Sequence, residues 1–385
     1  MMGIQEFAGS VLALLSFVAA GFTMAASFAL TDEPASGAAI QRPRRSPPVT
    51  LLKPLYLVEP ELEENLRGFF RQDYKAPIQF VFGATSQSDP ALSIVDALRR
   101  EFPDADVQVV VGSKRTATNP KVANLISMAA YAKHELLIMS DSDIRVSPEY
   151  VSRIVAAMEE PDVGAVSLLY GGKPVGNLWS KLSAMNIECH FFPNARLGIA
   201  LGLTKPCFGA TIAFRRQILA AVGGFESLAN VLADDYELGR AIRAHGYRVC
   251  ILNSITVEHV CSQSSALSLL RQELRWARTN LLLAPLGYAG TLVTHPVPCA
   301  ILALAFLGFS TLSLAALAAA LASRIYLVFR SARRFGWRRE YFWLLPLRDT
   351  MSFYVYVASF FGKNVQWRGH RFATRADGAL APVWR

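Results

Sequence analysis

The sequence predicts an α/β domain with a mostly parallel sheet, held to a membrane by a hydrophobic segment before it and a hydrophobic region after it. Between residues 49 and 139, apolar runs of strand length alternate with runs of helical period, which is typical of β-α-β units. Residues 7–30 contain no charged side chain, and residues 279–323 contain no Lys, Arg, Asp or Glu. About 20 apolar residues suffice to cross a bilayer, so both segments are long enough.

Changes in composition along the chain predict five segments. Residues 1–34 form an N-terminal transmembrane anchor, and residues 35–48, rich in Pro, Arg, Ser and Gly, form a linker. Residues 49–278 form the α/β domain, residues 279–372 a C-terminal membrane region, and residues 373–385 a cytoplasmic tail.

The first hydrophobic segment is open to two interpretations, an uncleaved anchor or a secretory signal peptide. The residues before Phe7 include no Lys or Arg, and the apolar run is long for the hydrophobic part of a signal peptide. Both features favour the anchor.

The C-terminal hydrophobic region is interrupted. His295, Pro296 and Pro298 divide residues 279–323, so this stretch has room for up to two crossings, or its first part lies in the membrane interface. A further apolar stretch, residues 341–361, carries Arg348 and Asp349. That composition indicates a re-entrant or interfacial element as much as a span.

The net charge of +9 is unevenly distributed. Arg42, Arg44 and Arg45 follow the first hydrophobic segment, and basic residues far outnumber acidic ones in residues 324–385. Because cytoplasmic loops of membrane proteins are enriched in Lys and Arg, both regions are predicted to face the cytoplasm. We therefore expect a multi-pass protein of a bacterial inner membrane with a cytoplasmic α/β domain. The α/β domain has no basic stripe with interleaved aromatic residues, which argues against nucleic-acid binding.

The cysteines form no recognisable framework. Their number is odd and none belongs to a CxxC pair, which excludes a disulfide scaffold and a zinc site of the usual spacing. The five are Cys189, Cys207, Cys250, Cys261 and Cys299.

The strand and helix patterns locate the candidate ligand site. In open parallel sheets, ligands bind beyond the carboxyl ends of the strands. No P-loop, GxGxxG motif or internal repeat is present. The predicted strands are residues 49–53, 79–82, 107–111 and 135–139, and the predicted helices are residues 61–70, 90–101 and 120–132.

Two carboxylates follow the strand at residues 135–139. Asp141 and Asp143 are two positions apart, and such a pair can hold a hard cation, Mg²⁺ or Mn²⁺, that stabilises a departing diphosphate. The alternative is an ordinary turn, because Asp and Ser are good turn formers. The position at the carboxyl end of a buried strand favours the metal.

A second acidic cluster, Asp234 and Asp235, opens a predicted amphipathic helix that ends near His245. Acidic residues at a helix N-terminus are favourable for the helix alone. The functional alternative is that one carboxylate acts as a general base on an acceptor hydroxyl.

A third motif immediately precedes the long apolar region. Gln272, Arg275 and Trp276 share one helix face. The Arg side chain suits a diphosphate, and the Trp ring suits an acceptor or the membrane interface. A plain interfacial helix with an aromatic anchor is the alternative.

The ordered set of these motifs, between an N-terminal anchor and C-terminal membrane segments, resembles the inverting family 2 type glycosyltransferases, and more closely the ceramide glucosyltransferase family (family 21). The resemblance runs from about residue 49 to about residue 372 and implies a GT-A-like fold. The stretches that carry it are Leu52-Lys53-Pro54-Leu55, Asp89-Pro90-Ala91, Asn119-Pro120-Lys121, Asn124-Leu125, Asp141-Ser142-Asp143-Ile144-Arg145-Val146, Asp234-Asp235-Tyr236, Gln272 to Trp276, Arg348-Asp349-Thr350-Met351 and Trp367-Arg368-Gly369.

The resemblance implies roles by position. It implies that Asp89 and Lys121 bind the donor, with Asp89 near the nucleotide. It also implies that Asp141, together with Asp143, binds the sugar diphosphate and the metal, and that Asp235 is the general base. Eukaryotic relatives read Asp-Ser-Gly where this chain has Asp141-Ser142-Asp143, and the extra carboxylate favours firmer metal binding.

Further positions match the family. Gln272, Arg275 and Trp276 match its terminal catalytic motif. His190 and Cys207 fall where relatives carry a His and a Cys associated with the active site, and Asp234 adjoins the base. His190 is also open to interpretation as a packed core histidine, and Cys207 as a small buried hydrophobe.

The expected reaction is transfer of a sugar from a UDP-sugar to a lipid hydroxyl, with inversion and without a covalent glycosyl-enzyme. The Ala- and Arg-rich composition suggests a bacterial protein, and the resemblance then extends to hopanoid-biosynthesis glycosyltransferases. We therefore expect N-acetylglucosamine to be transferred from UDP-GlcNAc to bacteriohopanetetrol, with glucosylation of ceramide from UDP-glucose as the alternative. A catalytically silent nucleotide-binding membrane scaffold is the non-enzymatic alternative. A polymer-extruding synthase would need a larger bundle of spans.

Overall fold

A computed structural model describes residues 3–30, 43–112, 117–337 and 341–362, and the backbone of three short strands beyond them. The chain divides into two compact units. The helical unit comprises Met1–Pro34, Gly176–Lys205 and Gln263–Gly369, and the sheet unit comprises Ala35–Val175, Pro206–Ser262 and His370–Arg385.

The described helices and strands follow in chain order. The helices are α1 (Ile4–Ala29), α2 (Leu62–Phe70), α3 (Ala91–Glu101), α4 (Pro120–Ala129), α5 (Tyr150–Ala157), α6 (Leu178–Asn186), α7 (Phe192–Ala200), α8 (Arg216–Ala221), α9 (Asp234–Ala244), α10 (Ala266–Leu283), α11 (Pro285–Gly290), α12 (Pro296–Leu307), α13 (Thr311–Phe335) and α14 (Tyr341–Ser359). The strands are β1 (Val49–Pro54), β2 (Ile78–Ala84), β3 (Asp106–Val111), β4 (Leu136–Ser140), β5 (Ile144–Arg145), β6 (Val163–Pro174), β7 (Thr211–Arg215), β8 (Arg248–Cys261), β9 (Asn364–Trp367), β10 (His370–Thr374) and β11 (Leu380–Pro382).

The sheet unit is built on an eight-stranded sheet of order β3-β2-β1-β4-β7-β6-β8-β5. The first four strands of that order are parallel, as the β-α-β pattern predicts. The second half is mixed, since β7 runs antiparallel to both β4 and β6, and β5 runs antiparallel to β8. Parallel pairing returns between β6 and β8, so the sheet is mostly parallel, as predicted, with antiparallel pairs at β4–β7, β6–β7 and β5–β8.

Both faces of the parallel half are buried because its strands are almost continuously apolar. Successive side chains point to opposite faces of a strand. Leu51 and Phe82 accordingly pack in one core cluster, and Leu52 and Val81 pack in another. Their burial on both faces fixes the register in which β1 lies between β2 and β4.

Among the described residues of the helical unit, two helices are long and apolar enough to cross a membrane, α1 and α13. Segment 285–294 and α12 meet at an angle of 74°, and the two together are also long and apolar enough to cross a membrane. The break falls at His295, where the sequence interrupts the apolar run. α1 packs closely against α12, since a Cβ atom placed on Gly9 would lie 2.6 Å from the Leu307 side chain.

The stretch at residues 341–361 forms α14, with Pro346 inside it. Among the described helices it is not one of those apolar enough to cross a membrane, in keeping with Arg348 and Asp349 within it. Residues 176–205 and the segment from Gln263 onward belong to the helical unit. The predicted boundaries at residues 34, 48, 278 and 372 stay predictions.

Candidate active site

The loop after β4 carries Asp141 and Asp143 at the carboxyl edge of the parallel strands. Beneath it lies Lys53, a fully buried side chain on β1. The β1–β4 register, which pairs Leu52 with Met139, sets Lys53 beside Ser140. Its Nζ donates to the carbonyl oxygen of Asp141 at 2.5 Å and lies 3.7 Å from the centroid of the Phe69 ring.

Burial sets the charge of Lys53. Desolvation lowers the pKa of its amine to about 7, although Asp141, Asp143 and Glu59 act in the opposite direction. In the sequence, Lys53 stands out only as part of the stretch Leu52-Lys53-Pro54-Leu55, which implies no role for it. A single Lys ending an otherwise apolar strand was the available signal.

A second lysine bridges the two acidic clusters. The Nζ of Lys121 lies 2.7 Å from Oδ1 of Asp141 and 3.7 Å from Oδ2 of Asp234. Burial opposes the charge of this amine, but the two carboxylates outweigh it and raise the pKa of Lys121 above its ordinary value. Lys121 therefore stays protonated and draws the two acidic loops together.

Asn119 fixes Lys121 at the start of α4. Its Oδ1 accepts hydrogen bonds from the backbone N–H groups of Lys121 at 3.0 Å and Val122 at 3.2 Å, a standard helix cap. Its Nδ2 donates to the Val231 carbonyl at 3.0 Å and to Oδ1 of Asp234 at 3.4 Å. The cap thereby ties the start of α4 to the start of α9.

Asp143 is paired with a histidine that sequence reasoning missed. Oδ2 of Asp143 lies 3.3 Å from Nδ1 of His259. Burial alone would raise the pKa of Asp143, but His259, Lys53 and Lys121 outweigh it and hold that pKa below its ordinary value. The pKa of His259 is raised because Asp143 overcomes its desolvation. Antiparallel pairing of β5 with β8 sets His259 opposite Ile144, next to Asp143.

The other oxygen of Asp143 is suited to a cation. Oδ1 is buried and accepts no hydrogen bond from the described residues. Buried carboxylate oxygens are otherwise hydrogen-bonded, so this atom fits a metal ligand. Within the described ranges, no three or more His, Cys, Asp or Glu side chains are grouped to hold a metal by themselves. Mg²⁺ is commonly bound by one or two carboxylates together with substrate phosphates and water.

Asp234 and Asp235 occupy the first turn of α9. Withdrawal from solvent and the adjacent Asp234 raise the pKa of Asp235 to about 6, while Lys121 acts in the opposite direction. Gly209 leaves room for this carboxylate, because a Cβ atom at that position would lie 2.9 Å from Oδ2 of Asp235. Asp235 is thus ionised near neutral pH and still able to accept a proton.

Asp89 has both oxygens engaged by the backbone. Oδ1 accepts from the N–H of Ala91 at 3.0 Å, and Oδ2 accepts from the N–H of Leu57 at 3.1 Å. These bonds fasten the loop after β1 to the start of α3. Its expected position near the nucleotide stays a prediction.

Cys207 is buried against α9. A Cβ atom at Gly239 would lie 2.5 Å from the Cβ atom of Cys207, so the close approach requires glycine. Burial raises the pKa of the Cys207 thiol, which keeps it neutral. This contact fits the interpretation of Cys207 as a small packing residue.

The remaining predicted residues belong to the helical unit. Gln272, Arg275 and Trp276 lie on α10, and Gln272 accepts a hydrogen bond from Gln263. His190 lies in a π-helical turn, Ile187–Phe191. The structure thus brings together Lys121, Asp141, Asp143, Asp234 and Asp235 within the sheet unit. Asp89 and Cys207 belong to the same unit, whereas Gln272, Arg275, Trp276 and His190 belong to the helical unit.

α10 also carries one half of a buried ion pair that the sequence alone does not predict. Glu273 accepts from Arg348 of α14 through two bonds, at 2.7 and 2.8 Å. Arg348 is fully buried and also donates to the Leu182 carbonyl at 3.1 Å. An Arg inside an apolar stretch was the signal for such a pair.

Comparison with known proteins identifies relatives. The model of the glycosyl transferase family 21 matches residues 10–380. Ceramide glucosyltransferase 3 of Caenorhabditis elegans is 23% identical over 256 residues, which cover 62% of this chain and 52% of that relative. Ceramide glucosyltransferase of Komagataella phaffii is 31% identical over 114 residues, 29% of this chain and 22% of the relative. The chain thus spans about half or less of the length of these curated relatives.

One solved structure shares the fold. The mannosyltransferase PcManGT from Pyrobaculum calidifontis, in complex with GDP-Man and Mn²⁺, matches with a TM-score of 0.51 and 19% identity, over 92% of this chain and 99% of that chain. At this identity the likeness concerns the fold alone, and it agrees with the GT-A-like α/β architecture that the sequence predicts.

Proposed function

Since this chain belongs to glycosyl transferase family 21, we propose that it transfers a sugar from a UDP-sugar to a lipid hydroxyl with inversion at the anomeric carbon. The observation that carries the proposal is the arrangement around Lys121, whose Nζ lies 2.7 Å from Asp141 and 3.7 Å from Asp234. Lys121 thus links Asp141, proposed to bind the metal diphosphate, to Asp234, the neighbour of the proposed base Asp235. The curated relatives named ceramide glucosyltransferases support a lipid acceptor.

On the donor side, Asp141 and Asp143 would hold Mg²⁺ or Mn²⁺, and the buried Oδ1 of Asp143 is the atom that fits this role. When bound, the cation neutralises the diphosphate as a leaving group. Lys121, held protonated, orients Asp141 and contributes positive charge beside the diphosphate. Lys53 holds the loop that carries Asp141 in place by donating a hydrogen bond to the Asp141 carbonyl oxygen.

On the acceptor side, Asp235 is the general base. Its pKa of about 6 leaves it ionised at neutral pH, yet basic enough to take a proton. The hydroxyl oxygen forms the bond to the anomeric carbon, its proton passes to Asp235, and the bond to the nucleoside diphosphate breaks. Gln272, Arg275 and Trp276 are proposed to bind the diphosphate and the acceptor, and His190 and Cys207 are further candidates that the family resemblance suggests.

We propose N-acetylglucosamine and bacteriohopanetetrol as donor sugar and acceptor, with glucose and ceramide as the second candidate pair. The first pair rests on the resemblance to bacterial hopanoid-biosynthesis glycosyltransferases, and the names of the curated relatives support the second. In both pairs the acceptor is an uncharged lipid alcohol. We further propose a bacterial inner-membrane protein whose sheet unit faces the cytoplasm, where nucleotide sugars are available.

The test is transfer by the purified full chain in detergent. UDP-GlcNAc with bacteriohopanetetrol and UDP-glucose with short-chain ceramide are each incubated with Mn²⁺, and glycolipid and released UDP are measured. Glycolipid from one pair, with an equal amount of UDP, supports the proposal and selects the acceptor. UDP binding without UDP release from either donor, even after addition of total bacterial lipid, would instead support a silent scaffold.

A further inference from the structure

His295 is a polar side chain buried in the apolar part of the helical unit. It lies at the break between segment 285–294 and α12, and is 5% exposed. Its backbone N–H donates to the Leu292 carbonyl at 3.0 Å. Neither ring nitrogen makes a hydrogen bond within the described part of the chain. Ionisable residues inside apolar membrane segments are costly and commonly functional.

Three aromatic rings surround the imidazole of His295. His190 lies 5.0 Å away between ring centroids, Tyr356 5.2 Å and Phe353 5.6 Å. Thr294 reaches Nε2 of His190 at 3.4 Å. The imidazole of His190 comes from a π-helical turn, a rare element that recurs at functional sites.

The nearby charges are already neutralised. Arg324 forms a buried ion pair with Asp349, in which Nε lies 3.0 Å from Oδ2, and also donates to the carbonyl of Cys189 at 3.0 Å. Arg348 is likewise neutralised by Glu273. The two pairs leave no net charge for an anionic headgroup, because a phosphate would need an unpaired cation. A neutral imidazole offers one donor and one acceptor nitrogen, which matches a hydroxyl group.

We propose that His295 and His190 form a binding site in the helical unit for the uncharged hydroxyl-bearing headgroup of the lipid acceptor. The inference rests on the proposed lipid glycosyl transfer and specifies which residues select the acceptor. The two imidazoles bind hydroxyl groups of the headgroup, and Phe353 and Tyr356 line its apolar side. The site selects neutral lipid alcohols over anionic phospholipids.

His295→Phe is the decisive variant, because it keeps a ring among its three aromatic neighbours and removes both nitrogens. The KM for the working acceptor, bacteriohopanetetrol or short-chain ceramide, should rise about fivefold to tenfold, as expected for loss of one neutral hydrogen bond or slightly more. The KM for the UDP-sugar should stay within about twofold. His295→Gln, which keeps a polar atom, should restore part of the loss. Cys299→Ala, a buried change one turn further along α12, should leave the acceptor KM unchanged.

An unchanged acceptor KM in a folded His295→Phe protein overturns the proposal. If that variant does not accumulate, the wild-type protein is labelled with photoactivatable ceramide and photoactivatable bacteriohopanetetrol. Label in residues 285–307 that excess unlabelled lipid alcohol displaces, and phosphatidylglycerol does not, supports the site. Label that lies only elsewhere, or that phosphatidylglycerol displaces equally, overturns it. Absence of transfer by the wild type would refute the proposed function, whereas the labelling result still decides the site.

Discussion

The raised pKa of Asp235 predicts a specific pH dependence of glycosyl transfer. Withdrawal from solvent and the adjacent Asp234 raise this pKa to about 6. A general base works in its ionised form, so activity should be present above pH 6 and lost as the pH falls through that value. With one ionisation at about 6, the ionised fraction is about ten elevenths at pH 7 and about one eleventh at pH 5. Turnover should therefore fall about tenfold between them.

The assay measures kcat between pH 5 and 8 for the donor and acceptor pair that gives transfer, in the wild type and in two variants. Asp235→Asn should lower kcat by a factor on the order of 10²–10⁴ and abolish the acidic limb, with little change in donor KM. Asp234→Asn should be milder, because adjacent side chains on a helix point about 100° apart. It should also move the limb to lower pH, since it removes a negative charge that raises the pKa of Asp235.

Two results would refute this reasoning. One is an Asp235→Asn protein with near wild-type turnover while Asp234→Asn is inactive, which would assign the base to the neighbouring carboxylate. The other is an acidic limb at about pH 6 that persists in Asp235→Asn, which would assign the limb to another group.

The remaining predictions concern the metal, the helical unit and the topology. EDTA should abolish transfer and Mn²⁺ or Mg²⁺ restore it, because Asp141 and Asp143 are proposed as metal ligands; full activity in EDTA contradicts that assignment. Glu273→Ala should destabilise the protein by about 3–5 kcal/mol, since it leaves Arg348 buried and unpaired. Thermal unfolding should show a large decrease for it and little change for Arg271→Ala, an exposed position on the same helix. Reporter fusions after residues 45 and 385 should both indicate the cytoplasm; an external C-terminus contradicts the predicted topology.

Local sequence pattern predicts the parallel half of the sheet. The strand before Asp141 was expected at residues 135–139 and is observed at Leu136–Ser140. The helix expected at 120–132 ends earlier, at Ala129. Periodicity within short segments carries this information, because each strand is buried on both faces.

The rest depends on pairings between distant segments. Lys53 lies under the loop of Asp141 because β1 pairs with β4, and His259 reaches Asp143 because β8 pairs with β5. Nothing in the local sequence specifies either pairing. The early entry of residues 176–205 into the helical unit is equally non-local, since that segment contains charged residues and no long apolar run.

The central claim is that this chain glycosylates a neutral membrane lipid. It is tested most directly by mass spectrometry of total lipids from cells with the gene, without it, and with the Asp235→Asn variant in its place. We predict one hexose- or N-acetylhexosamine-bearing derivative of an uncharged lipid alcohol that is present only with the wild-type gene, while its unglycosylated precursor accumulates in the other two strains. Identical lipid profiles in the three strains, with the wild-type protein verified in the membrane fraction, would contradict the claim.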